Sequence, residues 1–126
     1  MKIFFANKLI ETFPQMQNSV EEYLASFPDV YLHLIFGDVF MPYLFELLRA
    51  PYLSEKELMK AGTLVELMAN SDEYVQEVVV TTILEPISDE PKSLLIFERY
   101  AGSQTRCFIK HIRAWGQEKT GDGSLS

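Results

Sequence analysis

The sequence predicts an all-α domain of six to eight short helices that pack in antiparallel pairs. Apolar side chains recur at steps of three and four residues along most of the chain, which is the period of a helix buried on one side. Proline, glycine and capping residues interrupt this pattern at short intervals, so the helices are short and the turns brief. The 126 residues, 48% of them hydrophobic, suit one domain with its own core.

The first helices are separated by a proline. Residues 2–12 carry apolar side chains on one side, and Pro14 stops the helix or resets it. Ser19 and Glu22 have the spacing of a capping box, which predicts the start of the second helix there. Asp29 is placed to cap the third helix, because its carboxylate can accept from the free N–H groups of a first turn.

The most apolar part of the chain, residues 30–48, is VYLHLIFGDVFMPYLFELL. Its length approaches that of a membrane span, but an aspartate near the bilayer centre costs about 2.5–3.5 kcal/mol, so Asp38 argues against one. We interpret the stretch as two helical segments. Gly37 ends the first or lets it bend, Asp38 caps the second, and Pro42 lies in the first turn of the second. Apolar residues lie on nearly every side of both helices, which favours a core over a binding surface.

Capping signals also place the next helices. Ser54 and Glu57 repeat the capping-box spacing, and Ser71 or Asp72 is a cap for the segment EYVQEVVVTTILEPI. The valines and threonines of that segment would also suit a strand. The valines follow helical spacing, however, and the first two glutamates lie four residues apart, so a helix is favoured.

The last two helices flank Gly102. Pro91 suits the first position of one helix, which ends near Tyr100, and the other contains SQTRCFIKHIRAW. The segments SLLIFERY and RCFIKHI are the places where a strand is the alternative. We place a single helical domain at residues 1–115 and a disordered tail, rich in glycine and serine, at residues 116–126.

Charge is distributed unevenly along the chain. The net charge is −7, and residues 51–90 carry two basic and nine acidic side chains, so this middle part alone reaches −7. Such an excess disfavours binding to nucleic acid or to an anionic membrane, and it attracts a basic partner. The one cysteine, Cys107, makes no disulfide within the chain, and the N-terminus lacks the pattern of a signal peptide, so we expect a cytoplasmic protein.

The sequence contains none of the common catalytic or metal-binding motifs, such as a Walker loop, GxGxxG, HExxH or CxxC. Cys107 and His111 share one side of a helix, as a thiol nucleophile and its base would. A buried cysteine and a half-exposed histidine are the simpler interpretation, and His33 is interpreted as a core histidine with a satisfied hydrogen bond. We therefore predict no catalytic residue, no metal site and no cofactor.

Two further groups of charged residues need an explanation. Asp38 and Glu85 both lie inside apolar runs; capping explains the first, and an ion pair with the basic last helix would explain the second. Arg106, Lys110 and Arg113 form a basic stripe on the last helix. Three charges on an acidic protein are a weak signal for nucleic acid, so the stripe is interpreted as a solvated face or as a contact with the acidic middle helices.

Three segments resemble a widespread group of small bacterial helical proteins: HLIFGDVFMPYL, then LMANSDEYVQEVVVTTILEPI, followed by LLIFERYAGSQTR. The likeness covers residues 28–113 and consists of a Gly-Asp helix break, a short acidic loop before a valine-rich helix, and a terminal helix pair. It implies a HEAT-like bundle. Similar small acidic proteins serve as immunity proteins of bacterial toxin systems, including contact-dependent inhibition, so the resemblance implies that function and offers no catalytic residue.

Our hypothesis at this stage is an immunity protein that neutralises a basic toxin domain, a nuclease, by covering its active site or substrate groove. One alternative is a helical adaptor or homodimer without a toxin, which would use the apolar residues 36–48 as an interface. Another is an enzyme that uses Asp38, Glu85 or the Cys107–His111 pair. The residues predicted to contact the toxin are Glu66, Asp72, Glu73, Glu77 and, as an aromatic anchor, Tyr74.

Overall fold

The fold is that of a computed structural model, which describes the backbone of residues 2–125 and the side chains of residues 2–116. Within this part the chain forms seven continuous helices and no strand, which confirms the predicted all-α class and its six to eight helices. The segment EYVQEVVVTTILEPI is helical throughout, so the strand alternative for it is wrong. The predicted disordered tail, residues 116–126, falls almost wholly outside the described side chains and stays a prediction.

Two of the seven helices contain a π-helical segment in the middle. We name these the first and second π segments. The helix that contains the second π segment is called the stripe helix, because its exposed side carries a row of acidic residues. The bounds are α1 Lys2–Thr12; a 3-10 turn Pro14–Met16 leading into α2 Gln17–Ser26; α3 Leu32–Ile35, the first π segment Phe36–Phe40 and α4 Met41–Arg49; α5 Glu55–Ala69; α6 Glu73–Glu77, the second π segment Val78–Leu84 and α7 Glu85–Ser88; α8 Pro91–Tyr100; and α9 Ser103–Leu125.

Each π segment ends just before a proline, Pro42 in one helix and Pro86 in the other. A proline inside an α-helix has no N–H to donate, and its ring collides with the carbonyl group four residues earlier. At the end of the first π segment, the N–H of Met41 donates to the carbonyl of Phe36 five residues before it, and the same kind of bond closes the second segment. We attribute the wider turns to these prolines, which are accommodated without breaking the helix.

The predicted end of a helix at Gly37 is therefore wrong. Gly37 keeps a helical backbone inside the first π segment, and Asp38 caps no helix. Asp38 instead accepts a hydrogen bond of 2.6 Å from the hydroxyl of Tyr23. Gly37 faces the second π segment, where Nδ1 of His33 lies 2.5 Å from the hydroxyl oxygen of Thr82. His33 is thus hydrogen-bonded as predicted, although it is half-buried, and it ties α3 to the second π segment.

Helix α5 lies at the centre of the fold and contacts α1, α4, α6, the second π segment, α8 and α9. The stretch of residues 30–48 supplies much of the core around it, which confirms its predicted core role. In the described part of the chain, no helix combines the length and the apolar character that crossing a bilayer requires. Fully buried side chains of the stretch include Leu32, Ile35, Phe36, Phe40 and Leu44, and those of α5 include Leu58, Ala61, Val65 and Met68.

Several predicted caps differ from the observed ones. Ser19 lies inside α2, because the 3-10 turn starts the helix two residues before it. Asp29 accepts from the N–H of Val30 but precedes the third helix by three residues, so it is not its cap. Ser54 occupies the cap position of α5 without a side-chain hydrogen bond. Asp72 caps α6 as predicted, with 3.0 Å from its Oδ1 to the N–H of Val75.

Candidate functional site

The exposed side of the stripe helix carries a row of carboxylates at intervals of four residues. Glu73, Glu77, Glu85 and Asp89 are exposed, as is Thr81 at the one intervening position. The three residues between each neighbouring pair of these positions are buried or half-buried. We call Glu73, Glu77, Glu85 and Asp89 the acidic stripe. At 1.5 Å per residue it extends over about 24 Å of helix.

The second π segment explains why these positions share one side. A step of four residues turns an α-helix by about 400°, which is about 40° more than a full turn. Four such steps separate Glu73 from Asp89, so a purely α-helical path would place them about 160° apart. The π segment has more residues per turn and rotates the path back. The observed exposure of every fourth residue is what this compensation produces.

The acidic stripe forms no ion pair with a basic group of the part of the chain whose side chains are described. Among the described side chains, residues 2–116, the ion pairs all lie elsewhere, and no member of the stripe takes part in one. Four formal negative charges therefore face solvent along one helix. The ion pairs are Lys2–Asp29, Lys8–Glu11, Arg49–Glu90, Lys60–Glu57 and Arg113–Glu98.

Three of the residues predicted to bind a partner lie together at the N-terminal end of this helix. Glu73 and Glu77 belong to the acidic stripe, and Asp72 is exposed beside them while its carboxylate caps the helix. The amide of Gln76 donates to the carbonyl of Ala69 at 2.9 Å, which fixes the turn before the cap. The end of the stripe is thus held in a defined orientation by hydrogen bonds of its own loop.

Tyr74 points away from the acidic stripe. Its half-buried ring meets the ring of His33 edge-on at 5.6 Å, and the ammonium of Lys2 lies 5.0 Å from its centroid. Lys2 is held there by Asp29, whose carboxylate lies 3.2 Å away and raises the pKa of the lysine. Tyr74 therefore packs the N-terminal end of α1 against the stripe helix.

Glu66 has a structural role that the sequence does not predict. Its Oε1 accepts from the N–H of Thr105 at 2.9 Å and from the hydroxyl of the same residue at 2.8 Å. Its Oε2 accepts from the N–H of Gln104 at 3.1 Å and from the amide of Asn70 at 2.9 Å. A carboxylate of α5 thereby caps the N-terminus of α9, where negative charge is favourable.

Both carboxylate oxygens of Glu66 are engaged by hydrogen bonds from within the fold. Burial raises the pKa of its carboxyl, but the hydrogen bonds from Thr105 and Gln104 lower it by more, so the net pKa lies below the ordinary value. A Cβ at position 102 would overlap the side chain of Glu66, which is why glycine stands there. We assign Glu66 to the fold, and its predicted contact with a partner is not part of the site that we propose.

A cleft of about 890 Å³ lies between the C-terminal half of the stripe helix and α9. Glu85 and Asp89 of the acidic stripe form one wall. His111 and Trp115, both exposed, belong to the wall that faces it. We call it the α7–α9 cleft. Its other lining residues are Val80, Thr81, Pro86, Ser88, Leu94, Ile112, Arg113 and Gly116.

One interpretation predicts a contact between the basic stripe of α9 and the acidic middle helices. Among the described side chains, the observed partner of the stripe is Glu98 of α8 instead. Arg113 donates to Oε2 of Glu98 on α8 at 2.8 Å, and Arg106 donates to the carbonyl of the same residue at 3.2 Å. Lys110 is exposed, in agreement with a solvated face. The ion pair suggested for Glu85 is not formed among the described residues; Glu85 is exposed to solvent instead.

Sequence reasoning missed Glu85 and Asp89 as members of one surface with Glu73 and Glu77. The signal was present, since all four are spaced by multiples of four residues. The prediction that Cys107 is buried is also wrong, because Cys107 is exposed, as is His111. Within residues 2–116, no group of three or more histidine, cysteine or acidic side chains is arranged to hold a metal ion.

Comparison with known proteins bears on the whole helical domain. Residues 6–116 match the family described as Domain of unknown function (DUF7674). No curated protein and no solved structure matches the chain. The description of the family names no activity, substrate or partner.

Proposed function

The chain belongs to this family of unknown function, and we propose that it is a cytoplasmic immunity protein that binds a basic toxin domain, a nuclease. It acts without catalysis, by covering the active site or the substrate groove of the toxin. The acidic stripe is the observation that supports this function. The resemblance of residues 28–113 to small acidic immunity proteins is consistent with it.

The charge of the acidic stripe suits a protein that competes with nucleic acid. A nuclease binds the phosphate backbone with lysine and arginine side chains, so its substrate groove is positive. The stripe offers a row of negative groups along about 24 Å of a rigid helix. Because these groups form no ion pair among the described residues, their field extends into solvent. Such complementary potentials accelerate encounter and favour the correct orientation.

The individual residues have separate roles in this proposal. Glu73 and Glu77 supply direct contacts, because both are exposed on the acidic stripe. Asp72 supports them by capping their helix and adds its own charge. Tyr74 packs beneath the stripe, where it holds the helix against α1. Glu66 contributes only through the fold.

A helical adaptor without a toxin partner is the second candidate function. Met59 and Leu67 of α5 are 61% and 41% exposed, on the side of that helix that faces away from the core. Such exposed apolar side chains would suit contact with another protein. A homodimer formed through residues 36–48 is disfavoured, since the large apolar side chains of that stretch are buried or half-buried.

Reversing charges at the acidic stripe tests the proposal. The double variant Glu73→Lys/Glu77→Lys changes the formal charge of the stripe by four units. Its association rate with candidate basic toxin domains encoded next to the gene is measured by surface plasmon resonance at about 10 mM and about 150 mM salt, where the screening length falls from about 30 Å to about 8 Å. We expect association to slow by at least about tenfold at the lower salt concentration and by less at the higher one.

A matched control carries the same change of charge on another helix. Glu21→Lys/Glu22→Lys alters two exposed glutamates of α2. It reproduces the effect of net charge alone, so it should slow association much less than the stripe variant. Equal kinetics for the stripe variant and the wild-type protein at both salt concentrations would contradict the proposed function. Equal losses for the two double variants would show that net charge, and not the stripe, directs binding.

A further inference from the structure

We propose that the α7–α9 cleft binds a cationic side chain, the guanidinium of an arginine or the ammonium of a lysine, that projects from the basic partner. This inference rests on the proposed function and names the part of the partner that the surface recognises. The cleft lies at the C-terminal end of the acidic stripe, and Glu85 and Asp89 belong to both. A basic protein that meets the stripe therefore has a recess beside its contact surface.

The charge of the cleft favours a cation. Its formal charges come from Glu85, Asp89 and Arg113, with His111 counted as neutral. The charge of Arg113 is balanced by Glu98, whose Oε2 lies 2.8 Å from its Nη1. Two carboxylates are thereby left without a basic partner among the described residues, and they accept hydrogen bonds without donating any at neutral pH.

The remaining surfaces of the cleft suit the rest of a long basic side chain. Trp115 is 60% exposed, and the face of an indole ring attracts guanidinium and ammonium groups. Val80, Leu94 and Ile112 supply apolar surface, against which the methylene groups of arginine or lysine pack. The volume of about 890 Å³ lies within the range of ligand sites. Carboxylates, one aromatic ring and an apolar surface together match an amphipathic cation better than an anion.

Arginine is the better fit of the two side chains. Its planar guanidinium presents five donors in a fixed fork, which suits two carboxylates on one wall, and it also stacks on aromatic rings. Lysine offers a compact charge that gains less from the indole face. The order of affinity expected for the cleft is therefore arginine above lysine, with an uncharged side chain of the same shape well below both.

The chain has one tryptophan, Trp115, which lines the cleft, so tryptophan fluorescence reports on the surroundings of that residue. The protein is titrated with N-acetyl-arginine methylamide, and the citrulline analogue, which is nearly the same shape without the charge, serves as the control ligand. Sodium chloride keeps the ionic strength equal in both titrations. We expect a saturable change of Trp115 emission with the arginine compound and none with the citrulline compound. Equal responses to the two would overturn the proposal.

Two double variants with the same loss of charge separate the cleft from general electrostatics. Glu85→Gln/Asp89→Asn removes the wall of carboxylates and should weaken arginine binding by roughly tenfold, as expected for the loss of charge-assisted hydrogen bonds. Glu73→Gln/Glu77→Gln changes the stripe outside the cleft and should leave the titration unchanged. All four side chains are exposed, so both variants should fold, and circular dichroism checks this.

The outcomes distinguish this inference from the proposed function. The titration needs no toxin, so arginine binding at the cleft together with no effect of the stripe on toxin binding would reject the immunity function and keep the cleft. Normal toxin binding by Glu85→Gln/Asp89→Asn, with no arginine response in the wild-type protein, would reject the cleft and keep the immunity function. A response to N-acetyl-glutamate methylamide instead would assign the cleft to anions through His111 and Arg113, and would also overturn the proposal.

Discussion

Removing the carboxylate of Glu66 should destabilise the protein more than removing any carboxylate of the acidic stripe. Glu66→Ala deletes three hydrogen bonds to the first turn of α9, at 2.8, 2.9 and 3.1 Å, and one from Asn70. The freed N–H groups of Gln104 and Thr105 then have only water as a partner. Since Glu66 belongs to the central helix α5, the change also loosens the contact between α5 and α9.

The size of the effect follows from these bonds. Loss of a helix cap costs about 0.5–2 kcal/mol, and hydrogen bonds to a charged group contribute about 1.5–3 kcal/mol. Because the site is only partly buried, water replaces some of the lost bonds, so we expect a decrease of about 2–3 kcal/mol in the free energy of unfolding. In a domain of this length that corresponds to a melting temperature lower by roughly 8–12 °C.

Urea denaturation followed by far-UV circular dichroism measures this change. The control is Glu77→Ala, in which an exposed carboxylate without an ion pair among the described residues is removed, and it should change stability by less than about 0.5 kcal/mol. The pKa of Glu66 is lower in the folded protein than in the unfolded chain, so its contribution is complete above roughly pH 4.3. It is lost as the pH falls through the folded pKa, and the wild-type protein and Glu66→Ala should then converge in stability.

Two results would refute this account of Glu66. One is a loss of stability no larger than that of Glu77→Ala at pH 7, which would mean that the cap contributes nothing measurable. The other is a difference between the wild-type protein and Glu66→Ala that stays constant down to about pH 2.5, since a carboxylate that stabilises through its charge must lose that effect on protonation.

Three further substitutions test two close contacts, one between backbones and one between side chains. Gly62→Ala should lower the free energy of unfolding by about 3 kcal/mol or more, because the added Cβ would overlap the backbone carbonyl of Tyr100, which cannot rotate away. An unchanged free energy in urea denaturation would contradict the close approach of α5 and α8. Asp38→Ala and Tyr23→Phe should each lower stability by a small and similar amount, and the double variant by no more than the larger single one, since both remove the same hydrogen bond. Additive losses in the double-mutant cycle, measured by urea denaturation, would argue against that bond.

Features that depend on neighbours in the chain could be predicted from the sequence. The all-α class, the position of α8 after Pro91 and the cap at Asp72 all follow from spacing and local chemistry, and each is observed. The apolar stretch of residues 30–48 was assigned correctly to the core, because apolar residues on all sides of a helix leave no side for solvent. The helical state of the valine-rich segment followed from its period, although valine itself favours strands.

Features that depend on contacts across the fold could not be predicted. The sequence suggests an acidic surface residue at Glu66, but its carboxylate accepts hydrogen bonds from the first turn of α9, almost forty residues later in the chain. Gly37 and Pro42 both suggest a break after which Asp38 would cap a new helix, whereas the wider π turn keeps the helix continuous. Cys107 was expected to be buried because small apolar side chains often are, and its place on the exposed side of α9 depends on how that helix meets α8 and α5.

In the second π segment, Val78–Leu84, the number of residues is as important for the acidic surface as the identity of the acidic residues on either side. Deleting one residue from it would turn the following part of the helix relative to the preceding part, by somewhat less than the roughly 100° of one α-helical residue, because a π segment has more residues per turn. Glu73 and Glu77 would then face a different direction from Glu85 and Asp89, although every carboxylate would still be present. A comparison of related sequences should therefore count the residues between the first and last acidic positions of this helix before it asks whether the acids themselves are kept.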